Sequence, residues 1–544
     1  YKSKLKSTNM YSDIKKIIIQ NNLDNKIKRS GNKVLFIDRF KIDLSIKYGL
    51  IAKIFNERYN LEPIIFHEYK KESVKLEIYK YFKINNLVKI NLLRNYIFYS
   101  IPALFFTIKA IFKILTNGYS SFIDNFEIKK IKVGDLIYDS YTRYNQNFVK
   151  RNCLSLFFFK IVFVSSFKCL FFIDVVKKNN FKICVVGQHS YFNSSTVLFR
   201  ICSILKRKVN FFITTGQEFL HYKYPKNGLY VLPFAIRPEY LLYVNFSDKK
   251  IVQEYKEHLI KKNKGKIIQN HDNMNANYKK KMFNKKQVLK KIGVKKNENF
   301  NSIILYAAHV FADGPHGSGK IIFDDYYDHL LFTLEEMKKN KDILYILKSH
   351  PSSFLLNEEG FLENFYKKNN LKKYNNIKIC TKDIKTNALL SIVDTVVTCS
   401  GSAGLELAAL YGKRPLLGGS SHYSHLGFTQ DCQTKKEYFK YLAKPKLLKK
   451  LSKSDKVNAN KALYLIECAA RSHNIGSFFP KNIRIYKRKK ISLITDKNYI
   501  KKLKINAKKN KIHNDISYKY FEKVIKYGLS KKLSKLFKPI LNNL

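Results

Sequence analysis

At 544 residues the chain exceeds one ordinary hydrophobic core, so two or three domains follow from length, and 45% hydrophobic content with 37 Tyr and 41 Phe excludes a disordered polycation. The +61 formal charge points to anionic partners, yet its excess is Lys scattered over the whole length while Arg, the better reader of bases, is scarce. Inflated Asn, Ile, Lys, Phe and Tyr without Trp match A/T-rich codon usage, which disfavours a selected nucleic-acid surface; attraction to an anionic membrane, ~1 kcal/mol per basic residue near it, stands either way.

The opening "YKSKLKSTNM" has no Met and no signal-type apolar core, which fits a start that has been cut short. "KVLFID" (Lys33–Asp38) predicts a strand, followed by a helix over "IKYGLIAKIFNERY" and a second strand in "EPIIFHE". Tyr96–Leu115 and Leu154–Val176 are apolar but broken by Pro102, Lys109 and Lys113 and by Lys160 and Lys168, short of about 20 uninterrupted apolar residues. They are expected as buried helices of an N-terminal domain, with a monotopic membrane surface as the alternative. "FKICVVGQHSYFNSSTVLFRICSILKRKVNFFITTGQE" then repeats strand, loop, helix, strand. Between about 250 and 299 the chain turns polar and loses apolar periodicity, which predicts an interdomain segment.

The theme restarts in "SIILYAA", "DHLLFTLEEMKKN", "DILYILKSHP", "IKIC", "DTVVTCS" and "LELAALYGKRPLL". This alternation predicts two doubly wound α/β domains, 1–249 and 300–443, facing a cleft. Past 444 a basic helical tail is expected, packing partly on the N-terminal half and partly on anionic membrane. The eight cysteines form no CxxC pair and read as reduced, buried thiols.

In doubly wound sheets ligands sit beyond the carboxyl ends of the strands. There, "DTVVTC" runs into Ser400-Gly401-Ser402-Ala403-Gly404 and a helix, where small residues and a helix N-terminus suit a phosphate; Glu406 in the first turn suits a ribose hydroxyl. Tight helix–strand packing is the bland reading of the same residues. A neighbouring strand ends in Lys348-Ser349-His350-Pro351, which places His350 at the same edge as a phosphate partner. "AAHVFADGPHGSGKIIFDDYYDHL" adds His309, Asp313, His316, Asp324, Asp325 and Asp328, with spacing that fits no standard metal pattern. Asp324–Asp328 reads as the capped start of a helix, with Asp313 and His316 aimed into the cleft.

These stretches, with "GGSSHYSHLGFT" and "KVGDLIYDSYTR" (Lys132–Arg143), resemble bacterial capsule and surface-polysaccharide biosynthesis glycosyltransferases, a group that includes Kdo-type transferases. The resemblance implies a GT-B fold, the donor nucleotide in the C-terminal domain, the acceptor in the N-terminal one, and no obligatory metal. It implies that His350, Ser400, Gly401 and Ser402 hold the donor phosphate and Glu406 the ribose, with His422 and Tyr423 near the sugar. One departure is Ser349, which stands between Lys348 and His350 where such proteins have a basic residue before His-Pro.

Sugar transfer needs a stabilised leaving phosphate and, for inversion, a base for the acceptor hydroxyl. Asp313 ranks first as base, with His316, Asp139 and Asp135 as further catalytic candidates. The expected partners are a nucleotide-sugar donor, CMP- or UDP-linked among others, a polysaccharide or glycolipid acceptor and the anionic inner-membrane surface, with no separate cofactor and no specific nucleic acid. The expected location is cytoplasmic, peripheral to the inner membrane. A polyol-phosphate transferase or nucleotide-sugar epimerase on the same fold is the first alternative. A non-enzymatic basic membrane- or RNA-binding protein is the second.

Overall fold

The computed structural model describes residues 12–37, 42–67, 76–89, 92–144, 146–179, 181–187, 194–205, 209–215, 218–222, 238–242, 244–263, 283–381, 383–469, 493–509 and 512–529. The N-terminal sheet contains β1 (Lys33–Ile37), β2 (Glu62–His67), β3 (Leu87–Lys89), β6 (Phe181–Gly187), β7 (Asn210–Thr215) and β8 (Glu218–Tyr222). Its order is β3-β2-β1-β6-β7-β8, parallel except for β8 against β7. A small antiparallel hairpin, β4 (Glu127–Ile128) and β5 (Ile131–Lys132), stands apart.

The C-terminal sheet contains β9 (Ser302–Ala307), β10 (Ile343–Lys348), β11 (Ile377–Ile379), β12 (Thr395–Thr398), β13 (Leu416–Leu417) and β14 (Gln430–Asp431). Its order, β11-β10-β9-β12-β13-β14, is parallel throughout. Both sheets thus have the doubly wound order 3-2-1-4-5-6, and the molecule is a GT-B-like pair of Rossmann-type domains.

The strands are continuous apolar runs because both faces of each sheet are covered. In β1, Val34 and Phe36 enter one core with helix α1 (Ile42–Tyr59), while Leu35 and Ile37 enter another. That second core is built from α2 (Leu92–Asn125), α3 (Gly134–Thr142) and α4 (Leu156–Lys178). In β9, Ile304 and Tyr306 face one layer, which contains α5 (Tyr326–Lys339), and Ile303 and Leu305 face the other. A period of two across a double-sided sheet produces this split.

The tail packs partly on the N-terminal half, as expected, while the intervening segment and one long apolar helix differ in detail from the expectation. The polar stretch 250–299 is not a plain linker: its described residues include helices Lys249–Asn263 and Lys285–Lys291. Tyr255 and Val288 anchor these helices in C-terminal cores. The basic residues past 444 begin with α7 (Lys453–Tyr464), whose Ala459 and Leu463 pack with Leu405 and Ala408 of α6 (Ser402–Tyr411). Helices α8 (Leu493–Lys509) and α9 (Ile516–Leu529) cross back, placing Leu503, Phe521 and Val524 in the core of β1 and α1. Finally, α2 runs unbroken through Pro102 and leaves most of its apolar side chains in solvent, whereas α4 is largely buried. Among the described residues the eight cysteines form no disulfide, and seven of them are buried.

Candidate active site

The helix α3 lies across the end of α2, and Gly134 makes this possible. A Cβ there would meet the Phe122 carbonyl oxygen at 2.0 Å. The crossing turns Asp139, fully buried, toward the loop that follows β9. In that loop Pro315 opens a short 3-10 turn over Pro315–Ser318, which offers His316 to the same point. His316 Nδ1 lies 2.6 Å from Asp139 Oδ1, and the His316 N–H donates to Oδ2 at 3.2 Å. Burial pushes the Asp139 carboxyl up to about 6, against the pull of the His316 imidazole and its hydrogen bond. Burial alone would depress His316, but the Asp139 carboxylate overrides it and raises the imidazole above its ordinary value. Among the described residues Nε2 of His316 has no hydrogen-bond partner. A carboxylate on one ring nitrogen and an open second nitrogen are the parts of a general base.

The other acidic candidates are committed elsewhere. Asp135, one turn before Asp139, takes both arms of Arg200 at 2.6 Å, and this pair holds its carboxyl below the usual range despite burial. Asp313, ranked first from the sequence, is more than half exposed and receives Arg143 Nη1 at 2.7 Å. Asp313 is held by an Arg and open to solvent, whereas His316 is buried with one ring nitrogen open, so the geometry favours His316 over Asp313. Asp325 caps α5 by accepting from the Asp328 N–H, as the acidic run suggested, but it also accepts from Tyr138 Oη at 2.6 Å and Arg151 Nη2 at 3.2 Å. Arg151 Nη1 reaches Asp324 at 3.0 Å, and the Ser120 hydroxyl donates to the same carboxylate. The 92–178 layer therefore grips the loop after β9 through the side chains of Ser120, Tyr138 and Arg151.

The second cluster sits where β9 and β12 part, the switch point at which doubly wound sheets bind ligands. His309, just past β9, accepts the Ser400 N–H at 3.0 Å on Nε2 and lies 3.1 Å from the Thr398 hydroxyl. Its ring is stacked on Tyr326 at 4.1 Å and faces His350 at 6.3 Å. Burial and then the neighbouring His350 hold His309 well below its ordinary value, so it is a neutral strut. The Gly401 N–H goes to Thr398 Oγ1 at 3.2 Å. Two of the N–H groups expected to face a phosphate are thus used internally. Among the described residues those of Ser402 and Ala403, at the N-terminus of α6, have no protein acceptor. The Ser400 hydroxyl, shared with Tyr326 Oη at 3.3 Å, lies beside them.

His350 accepts the Ser352 N–H on Nδ1, which fixes its ring at the same edge, while Ser349 turns away to Glu363. Gly404 is small for another reason than a ligand: a Cβ would meet Tyr423 Oη at 2.4 Å and Pro415 Cβ at 3.2 Å. Tyr423, expected near the sugar, is fully buried and donates to the Gly401 carbonyl at 2.5 Å. It props the loop from behind. His422 packs edge-on against it, partly exposed, and Glu406 is partly exposed one turn into α6. The structure adds His309, Tyr326, Arg143 and Arg151. His309 and Tyr326 stood in a stretch already singled out, but their partners lie 74 to 91 residues away. Among the described residues no three His, Cys, Asp or Glu side chains cluster as a metal centre would require.

Residues 239–466 match the family described as "Capsule polysaccharide biosynthesis protein". The resemblance to capsule and surface-polysaccharide biosynthesis proteins is thereby shown over that region. No curated protein matches the chain. Among solved structures, it is similar to KpsC of Thermosulfurimonas dismutans, a β-Kdo 2,4 transferase, at 12% identity over 52% of this chain and 79% of that one, TM-score 0.30. The UDP-GlcNAc 2-epimerase of Neisseria meningitidis, bound to UDP-GlcNAc, matches at 11% identity over 81% and 100%, TM-score 0.24. The spinosyn rhamnosyltransferase SpnG matches at 10% identity over 81% and 99%, TM-score 0.24.

Proposed function

We propose that this chain is a glycosyltransferase of capsule-type polysaccharide synthesis, moving a sugar from a nucleotide-activated donor to a hydroxyl of a polysaccharide or glycolipid. One observation carries the reading: the buried Asp139–His316 pair, each half of the molecule giving one member, in a molecule whose C-terminal sheet opens a helix N-terminus at its β9/β12 switch point. In this reading His316 Nε2 accepts the proton of the acceptor hydroxyl as that oxygen attacks the sugar. Asp139 keeps the proton of the resting ring on Nδ1 and stabilises the imidazolium that forms. The leaving phosphate gathers charge at the N–H groups of Ser402 and Ala403, the Ser400 and Ser402 hydroxyls and His350, where the helix end favours an anion. Glu406 is the ribose partner, and no step is assigned to a metal. A Kdo-like sugar on CMP and sugars on UDP are the first donors to test. The protein works on the cytoplasmic side of the membrane, where nucleotide sugars are made.

The test couples turnover with donor binding. A donor at 100 times its Kd should stabilise the protein by about 2.7 kcal/mol in a thermal-shift panel. His316→Ala and Asp139→Asn should keep that shift and lose about 10²–10⁴-fold in kcat. In the parent, rate should rise with pH through a histidine value above the ordinary one. In Asp139→Asn that acid limb moves down, because the carboxylate that raised it is gone. Parent-like turnover by His316→Ala, or a panel in which no nucleotide sugar binds, would overturn the reading. Epimer formation without transfer would favour the epimerase instead.

A further inference from the structure

Helices α2 and α4 lie side by side and are both long and apolar, but only 22% of the apolar window in α2 is buried against 56% in α4. The face of α2 that meets the protein is a stripe of Ala103, Thr107, Ala110 and Ile114. The opposite face carries Ile97, Phe98, Ile101, Phe105, Ile108 and Phe112, each 58 to 78% exposed. At 1.5 Å per residue these span about 22 Å of one helix, more apolar surface than a soluble monomer leaves to water without use. The charged residues between 97 and 123 are Lys109 and Lys113, with no carboxylate; in α4 the exposed charges are Lys160, Lys177 and Lys178.

We propose that this face of α2 is a monotopic docking surface for an anionic lipid bilayer, with the helix lying in the plane of the interface. Its apolar stripe enters the acyl boundary, and its lysines extend to lipid phosphates along stems that remain in the apolar layer. The charge decides between occupants. A second copy would bring lysine against lysine on a chain of +61, whereas anionic lipid complements them. The stripe that faces the protein shows why the helix lies flat: one side is already packed on α4, so it is not surrounded by lipid.

The same helix leads to the cleft. At Gly118 the backbone leaves helical geometry (φ 76°, ψ 174°), and the residues beyond it turn inward. Tyr119 then stacks edge-on with Tyr138 at 5.7 Å, Arg151 lies over its ring, and Ser120 donates to Asp324. Docking by α2 therefore brings the layer that carries Asp139 to the lipid surface, and the acceptor class that suits this placement is a glycan on a lipid anchor. This last step rests on the glycosyl-transfer reading; the docking does not, and it is measured without donor or acceptor.

The full chain is sedimented with phosphatidylcholine vesicles, with and without phosphatidylglycerol, at low and high salt. Ile101→Asp/Phe105→Asp/Phe112→Asp should lower vesicle partitioning about a hundredfold or more, with an unchanged or higher Tm because these side chains support no core. The parent should keep part of its binding at high salt. A polarity-sensitive label on Ile108→Cys should shift to the blue with vesicles, a readout that needs only one exposed substitution. Parent-like partitioning by the triple variant overturns the proposal. So does binding abolished by salt alone, or a label that does not respond. A parent that ignores vesicles but is dimeric, and becomes monomeric in the triple variant, assigns the face to a second copy.

Discussion

Both halves of the molecule have one strand order but fill its third crossover differently. In the C-terminal sheet the chain passes from β11 to β12 through 380–394 and one short helix, Thr386–Ile392. In the N-terminal sheet the equivalent passage, β3 to β6, takes 90–180 and holds α2, the β4–β5 hairpin, α3 and α4. The C-terminal half presents its polar side chains at strand ends: His309 after β9, His350 after β10, Ser400 after β12. The N-terminal half brings Tyr138, Asp139, Arg143 and Arg151 to the cleft from the inserted layer. The matching strand-end loops of its own sheet, 38–41 and 188–193, lie outside the described residues. One topology thus supports two ways of building half a site. A strand-end loop suits a phosphate, while an inserted helical layer can join a lipid-facing surface to the reacting centre.

Arg151 is where this comparison is most easily broken, because it ties the inserted layer to the other half. Asp325 is fully buried, and Arg151→Ala would leave its charge to Tyr138 and the Asp328 N–H. Removing one partner of a buried pair costs about 3–5 kcal/mol. Urea unfolding should show that loss and should separate into two transitions as the halves uncouple. Adding Asp325→Asn to Arg151→Ala should recover part of it. A single transition with stability within about 1 kcal/mol of the parent would mean that something else joins the halves.

The C-terminal architecture could be read from the sequence because parallel strands covered on both faces are unbroken apolar runs. "SIILYA", "ILYILK" and "TVVT" are β9, β10 and β12 nearly to the residue. The fate of α2 could not be read. Its composition resembles that of α4, and exposure depends on which stripe finds a neighbour, which only the packed structure decides. The site was readable as a set of residues but not as pairs. Asp139 and His316 are both candidates in the sequence, yet their contact spans 177 residues, and Asp313 ranks first there on its Gly-Pro setting while the Arg143 that binds it lies 170 residues away. Gly404 and Tyr423 show the converse. Small and aromatic residues in a phosphate-suited loop read as ligand contacts, yet a Cβ at Gly404 would meet the Tyr423 hydroxyl, which itself donates to the Gly401 carbonyl.

That pair gives a smaller test of what the Ser400–Gly404 loop is for. Gly404→Ala should cost about 1–3 kcal/mol by overpacking against Tyr423 and Pro415. Tyr423→Phe removes the hydroxyl that the new methyl would strike, so the double variant should be more stable than the sum of the two losses predicts. Nucleotide affinity of the folded protein should stay near that of the parent. A loss of affinity without a loss of stability would move Gly404 back into the donor site.

How the C-terminal half holds its own loop shows in a dependence on pH. Glu358 is buried and accepts the N–H groups of Phe311 and Ala312 at 2.7 and 2.8 Å, which fixes the backbone just ahead of Asp313 and His316. Burial pushes its carboxyl from 4.5 up to about 7, although the two N–H donors pull the other way. A carboxyl whose folded value is raised holds its proton more tightly folded than unfolded. Its stabilising contribution is therefore complete below 4.5, fades as pH rises toward 7, and is absent above that. The full swing is on the order of 3 kcal/mol. Glu358→Gln cannot titrate, and its amide NH2 would face one of the two N–H donors, so the variant should be less stable at every pH. The difference in Tm between parent and variant should be largest near pH 4.5 and shrink toward pH 7, a comparison in which the Asp139–His316 titration cancels. A constant difference across that range would show that Glu358 is ionised throughout and is held by its two N–H bonds alone.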